Sequence, residues 1–301
     1  MKKKIILITG ALGQDGKILS NILLKKKYDV HGIIKNKKYN KLDNNIKYKK
    51  LDIRDNKKLL NYIKKIQPKV IVHLASNNPS YNDSIKNDKF YKDNIFFTKS
   101  LIEASIKSNL KIHLIFGNSS QIFSKELKLV DEKSKFTVSN KYNQFKIDIL
   151  KFLKTKNKIK NFSYTNLILF NHDSKFRNKK FLLPRLIKAV KEKNIDFLES
   201  IYRENIIADF SHAEDICNAI YLLIKKKICI DNLILSSNKK TKVNDLLKYL
   251  LTKYSLNIKL RSKVRENKNY LIGNNKLAMK LLNWSPKKNI YNALDELYKV
   301  I

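Results

Sequence analysis

Ile5-Ile6-Leu7-Ile8-Thr9-Gly10-Ala11-Leu12-Gly13-Gln14-Asp15-Gly16 begins as an apolar run, turns at glycine and passes straight into a segment of helical periodicity. A short continuous apolar run of this kind is a strand buried on both faces. Of the six glycines in the protein, three fall within Gly10–Gly16. A glycine-rich turn ahead of a helix lets backbone N–H groups come close to a pyrophosphate, and the helix dipole adds to the attraction. The spacing is GxxGxxG rather than GxGxxG, and it makes Gly10, Gly13 and Gly16 the candidate floor of a dinucleotide site.

Outward from this turn, four- to six-residue apolar runs alternate with longer helical patterns. Strands are expected at 4–9, 28–34, 46–51, 69–74, 111–116 and 163–170, and helices at 14–26, 56–65, 87–108 and 140–157. Such alternation predicts α/β architecture, a Rossmann-type doubly wound parallel sheet. After Asn171 the alternation weakens into a basic segment at 172–180, a helix near 181–193, a strand and helix around 206–226, and a mixed region from 232 to 301. The expected division is therefore an NAD(P)-binding domain over 1–170, to which 206–237 returns, and a smaller C-terminal substrate-binding cap from 171–205 and 238–301.

The chain has 301 residues, is 43% hydrophobic and carries a formal charge of +38, enough apolar material for a large core and a strong attraction for anions. Nucleic acid is not the expected partner, because only Arg54, Arg177, Arg185, Arg203, Arg261 and Arg265 among the 64 basic residues are arginine, and groove readers rely on its fork. The lysines are spread along the whole chain and suit an anionic, diphosphate-bearing substrate. Cys217 and Cys229 sit in apolar runs without a metal or CxxC pattern, so no metal site is expected and a reducing cytoplasm is. The start Met1-Lys2-Lys3-Lys4 followed by Ile5–Ile8 is too short for a signal peptide, and no stretch reaches the ~20 apolar residues of a membrane span.

Tyr142-Asn143-Gln144-Phe145-Lys146 sets a phenol and an ammonium on one helix face. A phenol of pKa about 10 is a poor base at neutral pH, and a nearby ammonium favours the phenolate. The pair can exchange a proton with a sugar hydroxyl while hydride passes to or from nicotinamide. With 15 tyrosines, chance YxxxK matches are expected, but Gly117-Asn118-Ser119-Ser120 at the end of the fifth apolar run supplies a partner hydroxyl in Ser119. Past the second strand, Ile33-Ile34-Lys35-Asn36-Lys37-Lys38 has no acid where NAD-specific enzymes hold the ribose 2′-hydroxyl. Lys35 and its neighbours would attract a 2′-phosphate, so NADP is favoured over NAD, a plain solvated lysine face being the alternative. His73 and His113 lie in strands and are expected as core residues. Arg185, Arg203 and Arg265 in the cap are the candidates for a diphosphate, which a guanidinium grips bidentately.

Gly10-Ala11-Leu12-Gly13-Gln14-Asp15-Gly16 with Ser119, Tyr142 and Lys146 resembles the extended short-chain dehydrogenase/reductase superfamily. Within it, Thr9–Gly16 is similar to the TGxTGQDG of the GDP-mannose 4,6-dehydratase family, and Val30-His31-Gly32-Ile33-Ile34 to its VHGIIR. Leu169-Phe170-Asn171-His172-Asp173-Ser174 is similar to its LFNHES, and Asp209-Phe210-Ser211-His212-Ala213-Glu214-Asp215 to its DWGHAxD. Gly273, Lys276, Trp284 and Pro286 echo the closing pattern of nucleotide-sugar members, with Trp284 expected as a cap anchor. The resemblance implies that Gln14, Asp15, Asp52, Leu74, Ala75 and His172 join the glycines, Tyr142 and Lys146 around the cofactor, with a purely structural hydrogen-bond role as the alternative for His172. It also implies that Ser119, Tyr142 and Lys146 are catalytic, that Asn171 meets substrate, and that a GDP-hexose substrate and a homo-oligomer go with the fold. One departure stands out: Gln121 occupies the place of the family's catalytic glutamate, and an amide cannot remove a proton as a carboxylate does. Glu126 is the nearest acid downstream. The segment between the second and third strands is also shorter than the family's cofactor-clamping loop. Dehydration of GDP-mannose is thus the leading reaction, with a 4-keto reductase or epimerase, or a silent sugar-nucleotide-binding paralogue, as alternatives.

Overall fold

The apolar runs form strands covered on both faces, and the computed structural model describes residues 3–34, 42–76 and 88–301. The first half of the chain runs β1 (Ile5–Thr9), α1 (Gln14–Lys25), β2 (Asp29–Ile34), β3 (Lys47–Lys50), α2 (Asn56–Ile66), β4 (Val70–His73), α3 (Asp88–Lys107) and β5 (Ile112–Ser119). It continues with two short 3₁₀ turns, β6 (Lys128–Val130), α4 (Lys141–Thr155), β7 (Phe162–Leu169), β8 (Asn171–Asp173), α5 (Leu182–Lys191) and α6 (Ile195–Glu204). β9 (Ile207–Ala208), β10 (Phe210–His212), α7 (Ala213–Lys226), β11 (Asn232–Leu235) and β12 (Thr241–Lys242) follow. The chain closes with α8 (Val243–Lys253), β13 (Leu271–Gly273), α9 (Lys276–Leu282) and α10 (Ile290–Val300).

Seven strands build one parallel sheet in the order β3-β2-β1-β4-β5-β7-β11. Ile6, Ile8, Val72, Ile115 and Leu167 point to one face, where α1, α7 and α9 cover them. Leu7, Ile71, Leu114, Phe116 and Tyr164 point to the other, under α2, α3 and α4. This is the expected doubly wound sheet. Because β1 lies between β2 and β4, the chain leaves the sheet in opposite directions there and opens a crevice at the carboxyl ends of the strands. A separate cluster joins α5, α6, α8 and α10 into the cap. Among the described residues no helix is long and apolar enough to cross a membrane.

The structure departs from the sequence expectations in two places that matter. β5 runs on to Ser119 because β7 stays paired with it up to Leu169, so Asn118 and Ser119 are held as strand residues. Residues of α9 and Trp284, expected in the cap, pack instead with α1 and α7 on the sheet. Trp284 is fixed there by its indole N–H, which donates to the Asp215 carbonyl at 3.1 Å.

The helix that carries Tyr142 is set locally. Asn140 caps α4 by accepting from the Asn143 amide at 2.9 Å, and Tyr142, Phe145, Lys146, Ile149 and Leu153 fall on its buried stripe. The glycine turn is set by crowding. Gly10 takes φ +75° and lies so close to the end of β4 that a Cβ would stand 2.8 Å from the Ala75 nitrogen. A Cβ on Gly16 would stand 2.2 Å from the Gly10 carbonyl oxygen and 2.6 Å from the Ala11 Cα. Since both obstacles are backbone, Gly16→Ala is expected to destabilise the fold by about 1–3 kcal/mol, read as a lower denaturation midpoint. An unchanged midpoint would show that α1 can move off β1 at no cost.

Candidate active site

The carboxyl ends of β1, β4 and β5 meet around the glycine turn. The Gly13 amide donates to the Gly10 carbonyl at 2.9 Å and closes the turn. Gly13 is the N-cap of α1 and offers no side-chain cap, the arrangement that suits a ligand anion at the first amides of the helix. Leu74 and Ala75 border the turn, their amides donating to Thr9 O and Thr9 Oγ1 at 3.2 and 3.3 Å. Glycine at 10 and 16 lets the turn pack directly against the end of β4 and against itself, the tight backbone turn that a dinucleotide site requires ahead of its helix.

Gln14, Asp15 and His172 come together beside it. His172 donates from Nδ1 to the Phe170 carbonyl at 2.6 Å and faces both Asp15 carboxylate oxygens at 3.0 Å through Nε2. Burial alone would raise the Asp15 carboxyl and lower the His172 imidazole, but their mutual attraction outweighs it, so Asp15 is held down and His172 up. Gln14 donates to the His172 carbonyl at 3.0 Å and accepts from Ser174 at 3.1 Å. These three residues thus tie α1 to β8, whatever else they touch.

Ser119 stands at the end of β5, its Oγ accepting from the Gln121 amide at 3.3 Å, and its hydroxyl lies where it acts to lower the Tyr142 phenol. Lys146 donates from Nζ to the Gly117 carbonyl at 2.6 Å and lies 5.7 Å from the Tyr142 ring centroid. The structure therefore joins the three residues picked from sequence. Their electrostatics differ from the expectation of a lysine-lowered phenol. Burial pushes Tyr142 up to about 12, against the Ser119 hydroxyl and the Arg177 charge, and burial pulls Lys146 down to about 7.

Gln121 is exposed on the 3₁₀ turn after Ser119, and Glu126 is exposed on the next turn, its amide donating to Ser124 Oγ at 3.3 Å. Asp52 lies at the end of the third strand in an ion pair with Arg54, whose Nε reaches its two oxygens at 3.0 and 2.8 Å. Asn171 donates to the Asp209 carbonyl at 3.1 Å. In the cap, half-buried Arg185 stacks over Phe197 at 4.9 Å. Arg203 reaches Ser262 Oγ at 3.4 Å and Arg265 pairs with Glu204 at 2.9 Å, so these two hold α6 to the 261–265 segment. Lys35, Lys37 and Lys38 lie outside the described residues. Among the described residues no group of His, Cys, Asp and Glu is placed to hold a metal ion.

Arg177 was not singled out from sequence, although it follows His172 within the same matched run. Its Nε stands 3.0 Å from Asp173 Oδ1 as an ion pair whose angle does not make a hydrogen bond, and its guanidinium covers the Phe181 ring at 3.7 Å. Its charge also bears on Tyr142, Asp15 and His172, which puts a half-buried cation at the site.

The comparisons with known proteins agree with this fold. The GDP-mannose 4,6 dehydratase 2 of Caenorhabditis elegans is 23% identical, with 98% of this chain and 88% of that protein covered. The GDP-mannose 4,6 dehydratase of Cricetulus griseus is 25% identical, and the match spans 74% of this chain and 65% of that relative's length. The solved structure of Thermotoga maritima UDP-glucose 4-epimerase with UDP-glucose shares the fold, with a TM-score of 0.81 at 18% identity and 98% of each chain covered. A family model described as GDP-mannose 4,6 dehydratase matches residues 7–297, from the first strand to the last helix and through the cap, and the chain belongs to that family.

Proposed function

We propose that the chain binds NADP at the glycine turn and acts on a GDP-linked hexose beneath the cap, with 4,6-dehydration of GDP-mannose as its reaction and the cytoplasm as its place of work. The meeting of Ser119, Tyr142 and Lys146 beside the glycine turn carries this reading. When bound, the nicotinamide supplies a hydride acceptor and donor for the sugar. Ser119 holds the reacting hydroxyl oxygen and Tyr142 takes and returns its proton. Lys146 fixes the strand end through the Gly117 carbonyl. Arg185, Arg203 and Arg265 are the cap residues for the diphosphate, with Arg185, the half-buried one, first among them.

Gln121 favours a second reading. Proton transfer at carbon 4 needs only the Ser119, Tyr142 and Lys146 set, whereas elimination needs a carboxylate that Gln121 does not provide. A 4-keto reductase or epimerase would keep the first set and dispense with the second. Incubation with NADP and GDP-mannose, followed by mass spectrometry for loss of water, separates the readings. No loss of water, together with reduction of a 4-keto sugar by NADPH in a parallel reaction, would favour the reductase.

Tyr142→Phe removes the proton-transfer group and leaves the turn alone. Turnover is expected to fall roughly 10²–10⁴-fold with cofactor binding retained, and near-normal turnover would move the site elsewhere. The lysines after β2 are expected to make NADP(H) bind on the order of tenfold more tightly than NAD(H), and equal affinities in a titration would remove that preference. Gln121→Glu restores a carboxylate of nearly the same size. If elimination is limited by its absence, the 4-keto-6-deoxy product and solvent deuterium at carbon 5 should rise by about 10²–10⁴. Efficient dehydration by the unmodified chain would mean that another acid performs the step.

A further inference from the structure

A line of three asparagines crosses the sheet and ends on the backbone of Ser119. Asn118 Oδ1 accepts from the Ser119 amide at 2.8 Å. Asn118 Nδ2 donates to Asn166 Oδ1 at 2.9 Å, and Asn166 Nδ2 donates to Asn232 Oδ1 at 2.8 Å. The three side chains lie on the sheet face that carries α4. Asn166 on β7 stands directly opposite Asn232 on β11 and Phe116 on β5, and Asn118 is two residues beyond Phe116.

We infer that Asn118, Asn166 and Asn232 form a positioning relay that fixes the Ser119 backbone, and so the hydroxyl it presents to Tyr142. The inference rests on the reading of Ser119 as the residue that holds the reacting oxygen. Its direction follows from hydrogen-bond chemistry. A backbone N–H only donates, so Asn118 must turn its oxygen to Ser119 and its NH₂ to Asn166. Asn166 must then turn its oxygen to Asn118 and its NH₂ to Asn232. Reversing any amide sets donor against donor along the line. Asn118 and Asn166 are 4% and 0% exposed, so water cannot repair a broken link.

Strand pairing does not require these amides, because β5, β7 and β11 are already joined by their backbones. What the relay adds is grip at one spot. Lys146 on α4 holds the Gly117 carbonyl at 2.6 Å, and the Asn118 side chain holds the Ser119 amide two residues further on. The far end, Asn232, is only half-buried on the edge strand and touches no proposed site residue, which makes it the place to test the relay.

Asn232→Leu and the smaller Asn232→Ala remove the final acceptor, while Asn232→Asp keeps an acceptor and serves as the conservative rescue. In the full chain with NADP and the nucleotide sugar, Asn232→Leu and Asn232→Ala are expected to lower kcat about 10- to 100-fold, with KM and cofactor binding within about twofold. The rising limb of the pH–rate profile should move to higher pH, because a Ser119 hydroxyl held toward Tyr142 favours the phenolate. Hydrogen exchange at the Ser119 amide should quicken, and Asn232→Asp should behave as the unmodified chain in all three measurements. Unchanged kcat and pH profile in Asn232→Leu and Asn232→Ala, or equal losses in Asn232→Asp, would overturn the relay. Ser119→Ala is the separate control: full turnover there removes the reading of Ser119, whereas unchanged Ser119 amide exchange in Asn232→Leu removes the relay whatever the activity.

Discussion

Asp15 and His172 face each other at 3.0 Å across a buried corner, although 157 residues separate them in the chain. Each alone would be costly there, since a buried charge without its partner destabilises a fold by about 3–5 kcal/mol. Together they oblige the first turn of α1 to sit against β8. Gln14 and Ser174 reinforce the same junction, and the Cys217 thiol from α7 reaches the Asp15 carbonyl at 3.5 Å. The glycine turn lies on one side of this corner, and Arg177 and the path into the cap lie on the other. The glycine turn is therefore held to β8, the strand that leads into the cap segment, by this ion pair and the bonds around it.

Burial governs the protonation of the remaining site. The Tyr142 phenol and the Lys146 amine are both driven toward their neutral forms, one up to about 12 and the other down to about 7. His73 beneath them is pulled down to about 3 by burial and by the Lys146 charge, and its two ring nitrogens are shared between the Thr9 and Thr98 hydroxyls. It is a satisfied core histidine, as its strand position suggested. The Arg177 charge acts on Tyr142 in the opposite sense to burial, but burial outweighs it.

The net charge of +38 is not concentrated at this cluster. Most of the described lysines are exposed, while Arg54, Arg177 and Arg265 are matched to carboxylates and Arg177 and Arg185 stack on aromatic rings. Long-range attraction for an anion thus comes from the lysine surface. In the proposed function the specific grip on a diphosphate falls to guanidiniums, whose planar forks suit it, with half-buried Arg185 first among them.

The sequence by itself determined the sheet and its turn, because apolar runs, glycine spacing and helix periodicity are local signals. It named Ser119, Tyr142 and Lys146 for the same reason: strand end, helix face and residue type can all be read along the chain. It did not determine that α9 and Trp284 join the sheet rather than the cap, since an apolar helix shows which of its faces is buried but not what buries it. Nor did it give the Asn118, Asn166 and Asn232 line, whose members lie on three strands. Nor does spacing alone carry the burial that pushes Tyr142 up and Lys146 down. Desolvation depends on every atom packed around a group, and only the tertiary structure assembles those atoms.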